Sequence, residues 1–510
     1  MQGYAAADGD AGFAQSREFY AQTERWLAGE EAAGLQHAEL EEHLQARGRE
    51  LLRRMFQDHL GLLAAREERR GDVTGADGIA RTRAEKGHGR ALATVFGQVT
   101  VTRIAYRAPG APNVHPLDAA LNLPAERQSH GLRKLAAIES ARGSHEAAAA
   151  AITRATGVQI GKRQVEELAR RTAADVDGFC HARRPDPAPD GHALVLTCDG
   201  KGIVMRPEAL RPATAKAAAT ARNKLTTRLS PGEKNGRKRM AELACVYDAA
   251  PVPRAPEDII TPPGRKKRKQ AAGEKGKKRR EPQARGKWLT ASVTDDIPAV
   301  IAAAFEEAQR RDPEHRRKWI ALVDGNNPQI EAVTAESARR GITITVIIDF
   351  IHVLEYCWKA AWSFFGKGEP AAEAWVAQQA LKILHGSARQ VAAGIRRRAT
   401  TYGYSPDERA GADECARYLT TKAPYLDYAT ALAEGWPIAT GIIEGACRHI
   451  VKDRMDITGA RWGLDGAEAI LKLRALTANG DLDAYWRYHL HKEHERIHGA
   501  RYRESLILAA

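Results

Sequence analysis

Cysteines, aromatic side chains and long apolar runs are all scarce in this chain of 510 residues. The six cysteines (Cys180, Cys198, Cys245, Cys357, Cys415 and Cys447) lie far apart, with no C-x-x-C pair. That spacing argues against a zinc knuckle or a disulfide framework and fits a reducing cytoplasm. No apolar run approaches the roughly 18 residues of a membrane span, so no membrane partner is expected. The opening stretch MQGYAAADGDAGFAQ has neither a basic nor an apolar segment and predicts no secretory signal. Aromatics reach only 6% and alanine is abundant, yet hydrophobic residues at 43% suffice for globular folding. The length exceeds what one core supports and predicts roughly three or four domains.

Charge is plentiful but unevenly placed. The net charge is +14. Segment 206–239 holds ten Lys/Arg against two Glu, net +8, and segment 264–288 holds twelve against two, net +10. The remainder of the chain therefore sums to −4. Runs of this kind are either solvated loops or arms that contact a polyanion. Two basic insertions flanking the same strands fit the second reading better.

Residues 16–70 mix dense charge with Leu, Phe and Trp at three-to-four spacing, the pattern of amphipathic helices within an N-terminal helical region, 1–90. Around Gly97, residues 91–109 alternate as a strand pair, which predicts a hairpin in region 91–130. The stretch SHEAAAAAITRATGVQIGKRQVEELARR has helix-turn-helix spacing within 131–185, with Lys162, Arg163 and Gln164 opening the second helix where such modules contact DNA. Two packed helices of a bundle would share that pattern. From residue 193 the texture becomes strands: 193–205, 240–250, 287–296, 318–328 and 342–353, with helices at 298–311 and 329–340. A mixed α/β sheet is expected over 190–370, followed by an all-helical insertion, 371–437, and a helical segment, 438–510.

Two of those apolar strands run into an Asp-Gly pair, VLTCDG at Asp199 and IALVDG at Asp324. An unpaired buried carboxylate costs several kcal/mol, so each Asp is either a turn residue or a group awaiting a cation. Glu444 in GIIEGACRH is a third acid. In a ribonuclease H-like sheet a first-strand Asp, a fourth-strand Asp and a late-helix carboxylate converge, and can hold two divalent metals about 4 Å apart. Hard carboxylate oxygens suit Mg²⁺, which Mn²⁺ can replace. Glycine after each Asp would let the chain turn sharply and leave room for a phosphate. Asp-Gly alone is a common turn dipeptide; the order Asp, Asp, all-α insertion, Glu carries the reading.

TCDGKGIVM, ALVDGNNP, IIDFIHVLEYCWKAAW, GIIEGACRHIVKDRM and ARWGLDGAEAILKLRAL resemble the motifs of bacterial insertion-sequence transposases of the ISKra type, which are similar to Mutator-like enzymes with an Asp-Asp-Glu triad. TVFGQVTVTRIAYR resembles the family's N-terminal hairpin. The likeness runs from about residue 90 to about 500. It implies an α/β catalytic domain of ribonuclease H-like fold with an all-α insertion, a mainly α N-terminal DNA-binding region and an α-helical C-terminus. It further implies that Asp199, Asp324 and Glu444 hold the metal, and that Asp349 and His352 match the Asp/Cys-x-x-His signature. Double-stranded DNA, as transposon ends and target, becomes the expected partner. A homo-oligomer on DNA and a cytoplasmic, nucleoid-associated location in a bacterium follow.

Several residues carry two readings. Thr440 is a candidate N-cap, with Arg448 and Lys452 following Glu444 at four-residue steps on one face; they are either a surface salt-bridge series or phosphate contacts. Lys201 is a DNA contact or a solvent-facing turn residue. His352 is a metal or phosphate contact or a core histidine. Trp462 stacks on an unpaired base or packs on the helix 466–476. His491, His494 and His498 share helical spacing that zinc could use, though a solvated face explains it better. Two rival functions remain: another metal nuclease on the same sheet, and a non-catalytic DNA-binding regulator derived from a transposase.

Overall fold

Met1–Ala182 and Gly480–Ala510 form one unit, and Arg183–Asn479 form a second. The structure is a computed structural model and describes residues 12–71, 73–185, 188–189, 191–220, 237–261, 281–366, 368–457 and 459–502. Most of the two basic segments, at 221–236 and 262–280, lies outside the described residues. No helix among the described residues is long and apolar enough to cross a membrane.

In the first unit, α1 (Ala14–Leu27) lies antiparallel along α2 (His37–Arg66). Ser16 N–H donates to Asp58, Arg54 sits over the Phe19 ring at 4.3 Å and Arg47 over Trp26 at 4.3 Å. The hairpin of β1 (Arg83–Thr94) and β2 (Gly97–Ala108) is longer than expected, and β3 (Ala111–Val114) pairs with the end of β2. Beyond β3, the free edge of β2 is covered by α2. The Gln57 amide donates to the Thr100 carbonyl at 3.0 Å and accepts from its N–H at 2.8 Å, so this edge is satisfied rather than left as a template.

Three helices follow: α3 (His130–Arg142), α4 (His145–Thr156) and α5 (Lys162–Thr172). Ser129 and Ser144 cap α3 and α4 through their hydroxyls. Gly157 ends α4 at φ +73°, a left-handed cap that glycine supplies without strain. Leu132, Ala136, Ala148, Ile152, Val165 and Leu168 form their common core.

The second unit is a mixed α/β domain. Its strands are β4 (Ala193–Val204), β5 (Lys238–Ala249), β6 (Ala284–Ser292), β7 (Trp319–Val323) and β8 (Ile344–Ile348). They lie in the order β8-β7-β4-β5-β6. β5 runs antiparallel to β4 and β6 on either side of it, and β7 and β8 run parallel to β4. Helices α6 (Ile297–Arg311) and α7 (Asn327–Arg340) connect β6 to β7 and β7 to β8. Leu194, Val195, Ile320 and Leu322 are wholly buried, as strands covered on both faces require.

The first strand runs through Val204, close to its expected span, and the structure corrects one expectation here: the chain does not turn at Gly200. Pairing with β5 continues through Lys201↔Ala241, Gly202↔Met240 and Val204↔Lys238. Gly200 and Gly202 are strand residues, and neither has positive φ. A Cβ on Gly200 would meet the Glu242 carboxylate at 2.9 Å, and one on Gly202 the Lys238 side chain at 3.0 Å. The glycines make room for long cross-strand side chains, not for a turn. Gly325, at φ +92°, does turn the chain after Asp324.

After β8 come α8 (Phe350–Phe364) and helices Pro370–Leu384, Ala388–Thr401, Ala410–Lys422 and Tyr428–Ala433. The segment 438–510, read from the sequence as one piece, is divided. Leu464–Asn479 packs on β6, where Asn479 exchanges two hydrogen bonds with the Leu289 backbone and Glu468 accepts from Val293 N–H. Leu482–Ile497 belongs to the first unit instead.

Candidate functional site

The register of the parallel strands sets three acids in line. Thr197 pairs with Leu322 and Ile348 with Val323. Continuing that register by one or two residues places Asp324 and Asp349 just past the carboxyl ends of β7 and β8, level with Asp199 in the middle of β4. The Asp349 N–H still donates to the Val323 carbonyl at 2.7 Å, so the ladder extends to the acid itself.

A helix crosses this row. Gly441–Ala446 begins just after Thr440 and passes at Cys447 into a π-helical turn, Cys447–Lys452. The Thr440 hydroxyl donates to Asp349 at 2.6 Å, and the Cys447 thiol donates to Asp199 Oδ2 at 3.3 Å. Seven helical residues rise about 10 Å, and two strand spacings span roughly the same distance. The helix thus reaches from the β8 acid to the β4 acid. Residues 440, 444 and 447 share one face of it, and Glu444 falls between the two anchors. Its carboxylate turns back to the Thr440 hydroxyl at 3.1 Å and is exposed.

Burial pushes the Asp199 carboxyl up. Hydrogen bonds from Gly200 N–H and Cys447 pull it down, and the charge of Asp324 pushes it up again. Asp349 is wholly buried, which raises it, while the bonds from Thr440 and Ile351 N–H lower it and the Glu444 charge raises it. Glu242, opposite Gly200 on β5, is raised by burial and then by Asp199. Among the described residues no side chain forms a salt bridge with Asp199, Asp324 or Asp349. Lys422, which feels the Asp324 charge, is held by Asn327.

The Asp324–Gly325 turn is clamped from the helical insertion. Tyr418 donates to the Asp324 carbonyl at 3.4 Å and stacks on Tyr356 with centroids 3.8 Å apart. A Cβ on Gly325 would meet that hydroxyl at 2.5 Å.

The triad therefore falls into two linked neighbourhoods: Asp199 with Asp324, and Glu444 with Asp349 through Thr440. Among the described residues no three His, Cys, Asp or Glu side chains are gathered closely enough to hold a metal ion as they stand. The chemistry of the donor set nonetheless fits a hard cation: two half-buried carboxylates within reach of each other's charge, with neither in a salt bridge among the described residues.

Other candidates divide differently from expectation. Thr440 sits at the N-cap but does not cap, because its hydroxyl is used by Asp349 and Glu444. Arg448 and Lys452 are exposed, but the π turn between them widens the helix, so a four-residue step no longer keeps them on the Glu444 face. Lys201 is exposed. His352 is half-buried and meets Glu355 at 3.1 Å. It is not a core residue. Trp462 is buried and unavailable for base stacking. Its Nε1–H donates to the Met455 carbonyl at 2.9 Å, Arg454 covers its ring at 4.7 Å, and its backbone pairs with Met205.

Lys162 and Arg163 are exposed at the start of α5, whereas Gln164 accepts from Gly161 N–H at 3.1 Å and serves the helix end. His491 pairs with Glu495 at 3.1 Å, but His498 is buried against the Leu123 carbonyl at 2.8 Å, so the three histidines are not one solvated face.

Thr440, Cys447, Glu242 and Tyr418 were not singled out as site residues by their spacing. The step of four and then three from Thr440 through Glu444 to Cys447 is the one signal that could have found two of them. The chain matches no protein-family model and no curated protein sequence.

Proposed function

We propose that this chain is a DNA transposase of an insertion sequence, resembling the ISKra-type enzymes, that cuts and joins DNA on a ribonuclease H-like sheet. One observation carries the reading: a helix anchored at Asp349 and at Asp199 holds Glu444 over a row of carboxylates that includes Asp324. The strand order, with three antiparallel strands followed by two parallel ones, supports the same fold.

Asp199, Asp324 and Glu444 would hold Mg²⁺, or Mn²⁺ in its place. Bound there, the metal supplies positive charge to an attacking water or 3′-hydroxyl and to the leaving oxygen of the phosphodiester. The chain's own residues do the rest. Thr440 and Cys447 fix the helix so that Glu444 need only turn away from the Thr440 hydroxyl to face the other two acids. Tyr418 holds the Asp324 backbone. Exposed Lys201 supplies positive charge for a flanking phosphate, and Lys162 and Arg163 contact the ends of the element. The two basic segments add sequence-independent, salt-sensitive affinity.

The test is cleavage and strand transfer by the purified chain on duplexes carrying the DNA that flanks its gene, with Mg²⁺. Asp199→Asn and Glu444→Gln should each lower the cleavage rate by roughly 10³-fold, the loss of about 4 kcal/mol of transition-state stabilisation, while DNA binding persists. Variants that join ends as well as wild type would overturn the assignment. Wild-type binding without any cleavage would make the chain a regulator instead.

A further inference from the structure

Lys422 ends the helix Ala410–Lys422 and is only 7% exposed, a rare place for an ammonium group. A buried cation normally faces a carboxylate. This one forms no salt bridge among the described residues and donates instead to the side-chain carbonyl of Asn327, a neutral acceptor. Asn327 lies three residues beyond Asp324, at the start of α7. Tyr418, one turn before Lys422 on the same helix face, donates to the Asp324 carbonyl itself. One face of this helix therefore grips the loop 324–327 at both ends and brings a positive charge to it.

The grip is braced. Tyr418 stacks on Tyr356 of α8 with centroids 3.8 Å apart, and the Ala412 N–H donates to the Ser363 hydroxyl of α8 at 3.2 Å. Helix α8 itself starts from Asp349. Because Asn327 holds the ammonium, it does not close onto the Asp324 carboxylate, yet the two charges feel each other. Burial pulls the Lys422 pKa down, and the Asp324 charge followed by that of Glu331 pulls it up. Between buried groups such attraction is little screened by salt. A positive charge so placed has two opposite effects. It lessens the cost of an unneutralised Asp324, and it repels any cation that takes a place on that carboxylate.

We infer that Lys422 is a counter-charge, carried to the acid row by the helical insertion, that stabilises Asp324 when no ion is bound and weakens its hold on a divalent ion. The inference rests on the reading of Asp324 as a metal ligand. Lys422 acts through Asp324 and is not itself a catalytic residue.

Binding of Mn²⁺ to the full chain without DNA tests it, read as loss of the free-ion electron paramagnetic resonance signal. Asp324→Asn serves as the blank for ions bound elsewhere. Lys422→Met should bind Mn²⁺ about tenfold more tightly than wild type. Lys422→Gln, which keeps a donor for Asn327 and loses the charge, should do the same, and it decides the matter if the Met variant does not fold. A side chain that only braced the loop would give weaker binding on replacement. Thermal unfolding without metal is the second readout. Lys422→Met should be tolerated worse in wild type than in an Asp324→Asn background, by about 2 °C in the midpoint. Unchanged or weaker Mn²⁺ binding by the neutral variants, or strictly additive midpoints, would overturn the inference. Wild type that binds no more Mn²⁺ than Asp324→Asn would overturn the metal site as well.

Discussion

The buried network of the first unit and the acidic row of the second handle charge in opposite ways. In the first unit Arg133 is wholly buried, yet it meets Glu493, His489 at 3.2 Å and His130 at 3.1 Å. His489 in turn meets Asp175 at 2.6 Å, and Asp175 takes two bonds from Arg496 at 3.0 Å. Every sign finds its opposite. In the second unit Asp199, Asp324 and Asp349 stand in a row with neutral donors only: a thiol, a hydroxyl and backbone N–H groups. A buried network that only holds a fold together is neutralised internally. A row of like charges that is not neutralised costs stability, and it persists where something from outside the chain supplies the missing charge.

Removing the cation from the first network should have the largest effect on stability. Arg133→Met strands the buried Glu493 carboxylate and should cost about 3–5 kcal/mol in denaturant unfolding; a cost under about 1 kcal/mol would mean that the network is not neutralised as described. In the acidic row the corresponding loss is of a neutral donor. Thr440→Val leaves Asp349 with Ile351 N–H alone and should cost about 1–3 kcal/mol. It also removes the anchor that ties the Glu444 helix to Asp349, so cleavage should fall without loss of DNA affinity.

The smallest effect has the opposite sign. Asp199→Asn removes a like charge, so the variant should be at least as stable as wild type at neutral pH. The pH dependence follows from linkage. The folded-state value of Asp199 is raised above its ordinary 3.8, so the folded protein holds the proton more tightly than the unfolded chain. Wild type therefore loses stability as pH rises from about 3.8 through the raised value, and the Asn variant does not. Unfolding curves from pH 4 to 7 should show the gap opening over that window and then staying constant. Asp175, which the Arg496 and His489 bonds lower in spite of burial, titrates the other way and loses its contribution as pH falls.

The sheet was legible because its strands are continuous apolar runs, as in IALV at 320–323, which only a doubly covered strand or a short buried helix could use. Both acids that follow such runs were legible for the same reason. The misreadings have physical causes. Glycine usually punctuates a strand, and nothing local to 199–202 reports that Glu242, Met240 and Lys238 lie across from it. An amphipathic pattern such as Leu482–Ile497 states that one face is buried but not against what, so its place in the first unit was invisible. Trp462 was better read as a packing residue than a stacking one, and Arg454 over its ring and the Met455 carbonyl on its N–H occupy it.

The π turn at Cys447–Lys452 has a consequence for how this protein can change over generations. A π turn amounts to one additional residue let into an α-helix. Deleting a residue within it would restore an ordinary helix and leave both flanks intact in sequence. The upstream part, with Glu444 and Cys447, would then be rotated by about 100° against the Met455 side that Trp462 secures. Substitutions there are tolerable one by one, but length is not: the segment is a phase setting, and a one-residue deletion should silence the site while the protein still folds.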